Sequence, residues 1–195
     1  MSSLFLDTSN QICIGLLNKD LEWVEFKIIK EAKASKALHG LIQEILNAHN
    51  LDLKSIENVF YMSGPGSYTG VRVAHGLCEV LKWQSMKVFS CRHFDIPTIL
   101  NIPRGLFVSK AFKKEIFIYE WENDTTEQRL IPEDELVECG NAFTCDPESF
   151  PGLQSTYDLI KERPKEIFSR MLGRSMNSEV FYYRTLDQEF KKSKS

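Results

Sequence analysis

The sequence contains no C-x-x-C pair. Its five cysteines, Cys13, Cys78, Cys91, Cys139 and Cys145, are odd in number and scattered. That pattern excludes a thiolate zinc site and argues against a disulfide framework, leaving small core residues in a reduced cytoplasm as the expectation. No apolar run is long enough to span a bilayer, and the opening Met-Ser-Ser-Leu lacks a basic stretch leading into an apolar one. Neither membrane insertion nor export is therefore expected. Of His39, His49, His75 and His93, no two stand four apart on one helix, so no metal site is expected, and His39 and His75 are read as structural helix-flank residues. There is no G-x-S-x-G elbow for a nucleophilic serine. Positive charge is not in excess either: 24 Lys and Arg face 27 Asp and Glu, for a net charge of -3. Phosphate neutralisation supplies most of the affinity for nucleic acid, so a chain with this balance is not expected to grip RNA alone.

What is present is an ordinary globular composition, 43% hydrophobic over 195 residues, enough for one large domain or two small ones. Leu4-Phe5-Leu6 and residues 12–17 read as strands joined by the polar turn Asp7-Thr8-Ser9-Asn10, and Trp23 to Ile29 reads as a third strand. The period then changes. Leu38, Leu41, Ile42 and Ile45 recur at helical spacing over residues 35–49, with Ser35 placed to cap. Val59 to Met62 is a strand, and a second amphipathic helix follows in which Val73, Leu77, Val80 and Leu81 form the expected core stripe, with Gln84 on the same face. Lys87 to Ser90 closes a βββαβαβ order, which breaks near Ile96-Pro97 and Ile102-Pro103. Further on, residues 106–108 and 115–119 read as paired strands around the basic turn Lys113-Lys114, and residues 141–157 read mostly as loop. A short helix starts at Pro164, carries Ile167, Phe168, Met171 and Leu172, and stops at Gly173. The fold class is α/β, with an N-terminal lobe over 1–100, a shortened C-terminal lobe over 101–190 and a basic tail over 191–195.

Two segments are candidates for chemistry. The glycine-rich stretch Ser63, Gly64, Pro65, Gly66, Ser67, Tyr68, Thr69, Gly70 lies between a strand and a helix, where backbone N–H groups can cradle phosphate. It is no P-loop, because Val71 and Arg72 follow Gly70 where that motif has Lys and Ser or Thr. The glycine spacing is also one residue too long for a dinucleotide fingerprint. A rigid turn set by Pro65 and positive-φ glycines is the simpler reading. Asp7, Thr8 and Ser9 are the second candidate: their hydroxyls and amides can contact a nucleotide phosphate, and the aspartate can orient magnesium or water. A plain polar hairpin turn is the alternative.

Ser-Gly-Pro-Gly-Ser-Tyr-Thr-Gly-Val-Arg-Val over residues 63–73 resembles the signature segment of the TsaB (YeaZ) family. Leu-Phe-Leu-Asp-Thr-Ser over residues 4–9 is similar to that family's first strand and turn, and Val180-Phe181-Tyr182-Tyr183-Arg184 to its terminal P-x-Y-L-R stretch. The resemblance is strong over residues 1–95 and weak beyond. Ala34-Ser35-Lys36 stands where the family often has His-Ser-Glu, and Lys110 to Phe117 departs from its usual hairpin. The resemblance implies two ribonuclease-H-like lobes of the actin, sugar-kinase and heat-shock ATPase (ASKHA) type. It implies no intrinsic catalysis and no intrinsic cofactor, with ATP and magnesium used only in an assembled complex. It further implies a TsaD-like catalytic subunit and a TsaE-like ATPase as partners, self-association into a homodimer when alone, and tRNA contact only through the complex. That complex forms threonylcarbamoyladenosine beside the tRNA anticodon. The catalytic relative carries an H-x-x-x-H metal pair, which this sequence lacks.

A small ASKHA-type ATPase or kinase using Asp7 and the 63–70 loop is the competing reading, and a glycoprotease-like hydrolase ranks third. On the second helix Arg72, Gly76, Glu79 and Trp83 fall on one flank away from the core stripe. Lys36, Gly40, Gln43 and Asn47 do so on the first. Trp beside Gly, edged by Arg, has the composition of an interface anchor. The resemblance implies that these helices meet the TsaD-like partner or a second copy.

Overall fold

In a computed structural model, which describes residues 2–30, 33–112, 114–135 and 140–183, the chain builds two five-stranded mixed sheets. The first contains β1 (Ser2–Asp7), β2 (Ile12–Leu17), β3 (Trp23–Ile29), β4 (Ile56–Met62) and β5 (Lys87–Cys91). Helix α1 (Ala34–Ala48) precedes β4, and α2 (Tyr68–Trp83) links β4 to β5. After α3 (Asp95–Ile99), the second sheet is formed by β6 (Arg104–Lys110), β7 (Glu115–Glu122), β8 (Thr125–Pro132), β9 (Ala142–Thr144) and β10 (Gln154–Ser155). Two helices, α4 (Thr156–Glu162) and α5 (Pro164–Gly173), follow. The strand orders are β3-β2-β1-β4-β5 and β10-β9-β6-β7-β8. Each sheet thus has an antiparallel meander whose first strand also pairs in parallel with the next. The fold is α/β with two ribonuclease-H-like lobes.

Apart from the edge strand β3, the first sheet is largely buried on both faces, which is why its strands read as nearly continuous apolar runs. Leu4, Leu6, Ile14, Leu16, Val59 and Tyr61 point at α1 and α2. Phe5, Cys13, Leu17, Phe60 and Met62 point the other way, into a core shared with α3, α4, α5 and the inner face of the second sheet. Phe168 of α5 is the centre of that shared core, its ring 4.6 Å from Phe60 and 5.6 Å from both Phe5 and Trp23. Phe94, just before α3, stacks on Tyr119 of β7 at 4.4 Å. Cys13, Cys78, Cys91 and Cys145 are buried free thiols in these cores.

Several sequence expectations need correction. Helix α2 buries Val71, Ala74, Cys78 and Leu81, while Val73 and Leu77 are half-buried and Val80 is 47% exposed. Gly70, Ala74 and Cys78 are small, so the helix lies close on β4. Weighting the pattern by bulk therefore rotates the expected stripe away from the true one. Helix α1 starts at Ala34 with Lys33 at the N-cap and no capping side chain, so Ser35 does not cap it. Ile96-Pro97, expected at a break, lies inside α3. The stretch 141–157, read as loop, contains β9, β10 and the start of α4. Cys139, Lys113, Arg184 and the tail 191–195 lie outside the described residues. No described helix is long and apolar enough to cross a membrane.

Candidate functional site

Strands β1, β4 and β5 run parallel, so their carboxyl ends meet at one edge of the first sheet. Each end delivers polar residues there: Asp7 to Ser9 from β1, Ser63 to Gly66 from β4, and His93 from β5. The glycine-rich loop is a clamp on the 7–9 turn. Ser67 donates its N–H to the Ser9 carbonyl at 2.6 Å, and Thr8 donates its hydroxyl to the Gly70 carbonyl at 2.6 Å. Its glycines are required by that closeness. A Cβ on Gly66 (φ +158°) would lie 2.4 Å from the Ser9 carbonyl oxygen, and one on Gly70 would lie 1.9 Å from that of Thr8. Both gaps are far inside van der Waals contact. Ser67 caps α2 by accepting from the Gly70 N–H at 3.4 Å, Ser63 is fully buried, and Thr69 is exposed. The Gly64–Pro65 peptide is cis.

The 180–183 segment packs against the same loop. Phe181 donates its N–H to the Ser63 carbonyl at 2.8 Å, and a Cβ on Gly64 (φ +111°) would come within 2.7 Å of the Phe181 carbonyl. Tyr182 packs on Tyr68 with ring centres 4.7 Å apart, and Tyr183 shares a 2.9 Å hydrogen bond with Ser109 of β6. The loop and the terminal stretch that carried the family resemblance are thus in direct contact.

Asp7, expected to face a phosphate or magnesium, instead faces inward. It is fully buried, as is Ser9, and Thr8 nearly so. The Asp7 carboxylate accepts the Tyr157 hydroxyl at 2.7 Å and His93 Nε2 at 3.0 Å on one oxygen, and the Ser9 N–H at 2.7 Å on the other. A carboxylate only accepts, so Nε2 carries the proton. His93 Nε2 also lies 3.1 Å from Ser9 Oγ, and Nδ1 lies 2.9 Å from Thr156 Oγ1. Burial pushes the Asp7 carboxyl up. Its charge interaction with His93 and the hydrogen bonds from His93 and Ser9 outweigh that, so its pKa falls below the usual carboxylate value. Burial, with Asp7's negative charge added, pushes the Tyr157 hydroxyl and the Cys13 and Cys145 thiols well up. These groups hold a buried anion with internal donors, which is the condition for such a charge to persist.

His93 and Tyr157 are the site residues that the sequence reading missed. The available signal was topological. His93 follows a strand parallel to the one Asp7 ends, and polar groups after neighbouring parallel strands converge. Tyr157 gave no signal, since it sits in a stretch read as loop.

The two helix flanks are on the outside. Lys36, Gly40, Gln43 and Asn47 of α1 are exposed, as are Arg72 and Gly76 of α2, and Glu79 is half-exposed beside Lys82. Trp83 is 81% exposed. Arg72 donates to the Tyr68 hydroxyl at 2.7 Å. A Cβ on Gly40 or Gly76 would meet nothing within 4 Å. Beside these flanks runs a largely apolar groove of about 360 Å³ between the helices, lined by Ile42, Leu46, Leu51, Leu53, Leu77 and Leu81. Among the described residues no group of three or more His, Cys, Asp or Glu side chains could hold a metal ion.

Residues 29–91, from the end of β3 to the end of β5, match a family model described as TsaD, tRNA N6-adenosine threonylcarbamoyltransferase. The tRNA threonylcarbamoyladenosine biosynthesis protein TsaB of Haemophilus influenzae is 32% identical over 166 residues, covering 73% of this chain and 70% of that protein. The TsaB of Bacillus subtilis is 26% identical over 151 residues, covering 70% of this chain, which spans 62% of that relative's length. The crystal structure of YeaZ from Pseudomonas aeruginosa has the same fold, with a TM-score of 0.62 at 16% identity over 92% of this chain and 97% of that one. A second structure, of an uncharacterised protein with similarity to the peptidase YEAZ from that organism, gives a TM-score of 0.64 at 16% identity over 94% and 99%. The signature loop locked on the 7–9 turn, the two lobes and this degree of identity lead to one assignment: the chain belongs to the TsaB family.

Proposed function

We propose that this protein is a non-catalytic subunit of the machinery that forms threonylcarbamoyladenosine beside the tRNA anticodon, and that it pairs with a TsaD-like catalytic subunit. The observation that carries this reading is the commitment of Asp7. Its carboxylate, at the end of β1, has both oxygens occupied by the chain's own donors and is closed from solvent. A group so held orders the fold; it does not hold magnesium or a phosphate. Work on substrate then belongs to a partner, and the α1–α2 flank offers the surface. Trp83 is exposed at the end of α2, Gly40 and Gly76 leave open space that lets another helix approach, and an apolar groove lies between the two helices. In the absence of the partner the same surface pairs with a second copy. A TsaE-like ATPase, with ATP and magnesium, joins the assembled complex, and tRNA is held by that complex, because this chain supplies no net positive field.

The test is co-purification with TsaD-like and TsaE-like proteins, followed by assay of tRNA modification with each component omitted in turn. Modification is expected only when this chain and its partner are both present. ATP hydrolysis at enzymatic rates by the isolated chain would overturn the reading in favour of an ASKHA-type ATPase.

A further inference from the structure

Asp7 and Tyr157 are 150 positions apart in sequence and belong to different lobes, yet they share a 2.7 Å hydrogen bond with no access to water. The contact is not isolated. His93, from the first lobe, reaches Thr156 at the start of α4, and Thr156 donates its hydroxyl to the Thr144 carbonyl at the end of β9, 3.3 Å away. Asn10 donates its side-chain amide across the same junction to the Cys145 carbonyl at 2.9 Å. Apart from the Thr156–Thr144 bond, which ties α4 to β9 within the second lobe, each of these bonds joins residues at the end of a first-lobe strand to the end of β9 or the start of α4. On either side lies an open cleft. One of about 260 Å³ is lined by Gln11, Lys30, Ser155 and Tyr157, and one of about 390 Å³ by Gly66, Tyr68, Ser109 and Tyr183; both also touch Asn10, Cys145 and Asp146. The lobes are therefore joined here by a narrow polar bridge with open clefts beside it. Elsewhere they are joined by the apolar core around Phe168 and Phe94, with polar contacts at its margins such as Trp23 Nε1 to the Ile160 and Lys161 carbonyls and Ser90 Oγ to the Ser178 carbonyl.

We propose that Asp7, His93 and Tyr157 form a latch that holds the two lobes closed, with the aromatic core beside it as the hinge about which they part. The physical reason is the difference between the two kinds of contact. The apolar core is non-directional and tolerates a small rotation of one lobe on the other, whereas the bridge depends on donor geometry and on a buried anion. The anion cannot stay buried with fewer donors, so loss of one bond admits water, and the flanking clefts lead water straight to it. Opening exposes the 7–9 turn and the loop clamped on it, and it moves the 180–183 strap, which touches both lobes.

Hydrogen exchange on the full-length chain tests this. Tyr157→Phe removes one hydroxyl and keeps the ring. Tyr61→Phe removes a comparably enclosed hydroxyl within the first lobe, where it bonds His75 at 3.0 Å, and serves as the control. The latch requires that Tyr157→Phe speed exchange about tenfold or more at residues 7–11 and 155–162, the size expected for one lost hydrogen bond to a charged group. Amides in the middle of β4 and β7 should keep their rates, and Tyr61→Phe should leave the junction unchanged. His93→Gln gives a second break of the same bridge and should act on the same peptides. Uniform acceleration across both sheets would reduce the bridge to ordinary core stability and overturn the proposal. So would unchanged exchange at 7–11 and 155–162 in both junction variants.

Discussion

The two sheets have the same strand order when each is counted from its own first strand, 3-2-1-4-5, but they are covered differently. In the first lobe the connection from the third strand to the fourth carries α1, and that from the fourth to the fifth carries α2. Together these bury the outer face under Leu38, Ile42, Ile45, Ala74, Cys78 and Leu81. In the second lobe the matching connections are residues 133–141 and 145–153, and the outer face of Leu106, Val108, Ile116 and Ile118 is covered by Phe150 and Leu153 from a loop. A sheet of this topology needs its inner face packed and its strands hydrogen-bonded; helices on the outer face are an addition. The first lobe has that addition and presents the back of it as a surface. Among the described residues the second lobe does without it.

The largest effects should come from a matched pair of core truncations. Ile14 in β2 and Ile118 in β7 are both buried on outer faces, at 0% and 3% exposure. Ile14→Ala leaves a hole between a sheet and two helices that cannot easily close, and should cost about 4 kcal/mol. Ile118→Ala lies under a loop that can settle inward and should cost about 2 kcal/mol, within the range known for such truncations. Denaturant unfolding of the two variants measures both. Equal losses would mean that the loop cover is as firm as the helical one, and the contrast between the lobes would fail.

At the junction, Asp7→Asn should cost about 3 kcal/mol or more at neutral pH, since it leaves the His93 and Tyr157 donors facing an amide. It should also change the response to acid. Asp7 has a lowered pKa in the folded protein. Its stabilisation is therefore complete above the unfolded carboxylate value, about 4, and is lost as pH falls through the lower folded value. Asp95, whose pKa burial raises, works in the opposite sense and gains on acidification. The difference between the native chain and Asp7→Asn isolates Asp7 alone, and that difference should shrink below pH 4. A gap that stays constant from pH 6 to pH 2 would mean that Asp7 has the same pKa folded and unfolded, and a change in the native chain's favour on acidification would mean that its carboxyl is neutral in the fold.

Binding gives the next effect down. Gly76→Arg and Trp83→Ala should each weaken association with a TsaD-like partner by about 2 kcal/mol, roughly thirtyfold in Kd, with circular dichroism unchanged. The space around Gly76 makes it a clean site, because a Cβ added there meets nothing within 4 Å. Calorimetric titration returning native affinity for both variants would remove the α1–α2 flank as the contact surface.

How far the sequence discloses this molecule also divides by lobe. Seven of the first lobe's elements, β1 to β5 with α1 and α2, are legible because its central strands are continuous apolar runs and its helices carry a 3.6 period, whereas α3 is hidden behind Ile96-Pro97. In the second lobe β6, β7 and α5 are legible too, but β8, β9, β10 and α4 are not. Strand β8, Thr125–Pro132, is an exposed edge with polar residues on both faces, and β9 and β10 have 3 and 2 residues, too short to show a period. The glycine-rich loop is visible as a motif, but the reason for its glycines is the Thr8 and Ser9 carbonyls some sixty positions earlier, which local spacing cannot reveal. The same holds for Asp7. Its chemistry is apparent from the turn, and its partners His93 and Tyr157 are set by tertiary packing.

The smallest effect separates two hydroxyls within that motif. Ser67 accepts the Gly70 N–H at the start of α2, whereas Thr69, two residues on, is exposed and makes no comparable bond to the helix end. The 3.4 Å length of the Ser67 bond places it at the weak end for a cap. Ser67→Ala should therefore cost about 1 kcal/mol or a little less, the ordinary loss for a serine N-cap. Thr69→Ala should fall within about 0.5 kcal/mol of native, as exposed positions do. Most of the clamp on the 7–9 turn should survive both changes, because it runs through the Ser67 N–H and the Thr8 hydroxyl, neither of which is removed. Thermal unfolding of the two variants side by side reads the difference. If Thr69→Ala destabilised the chain more than Ser67→Ala, the motif's stability would rest on a contact of Thr69 outside the isolated chain, and the second helix would have to be remeasured with its partner bound.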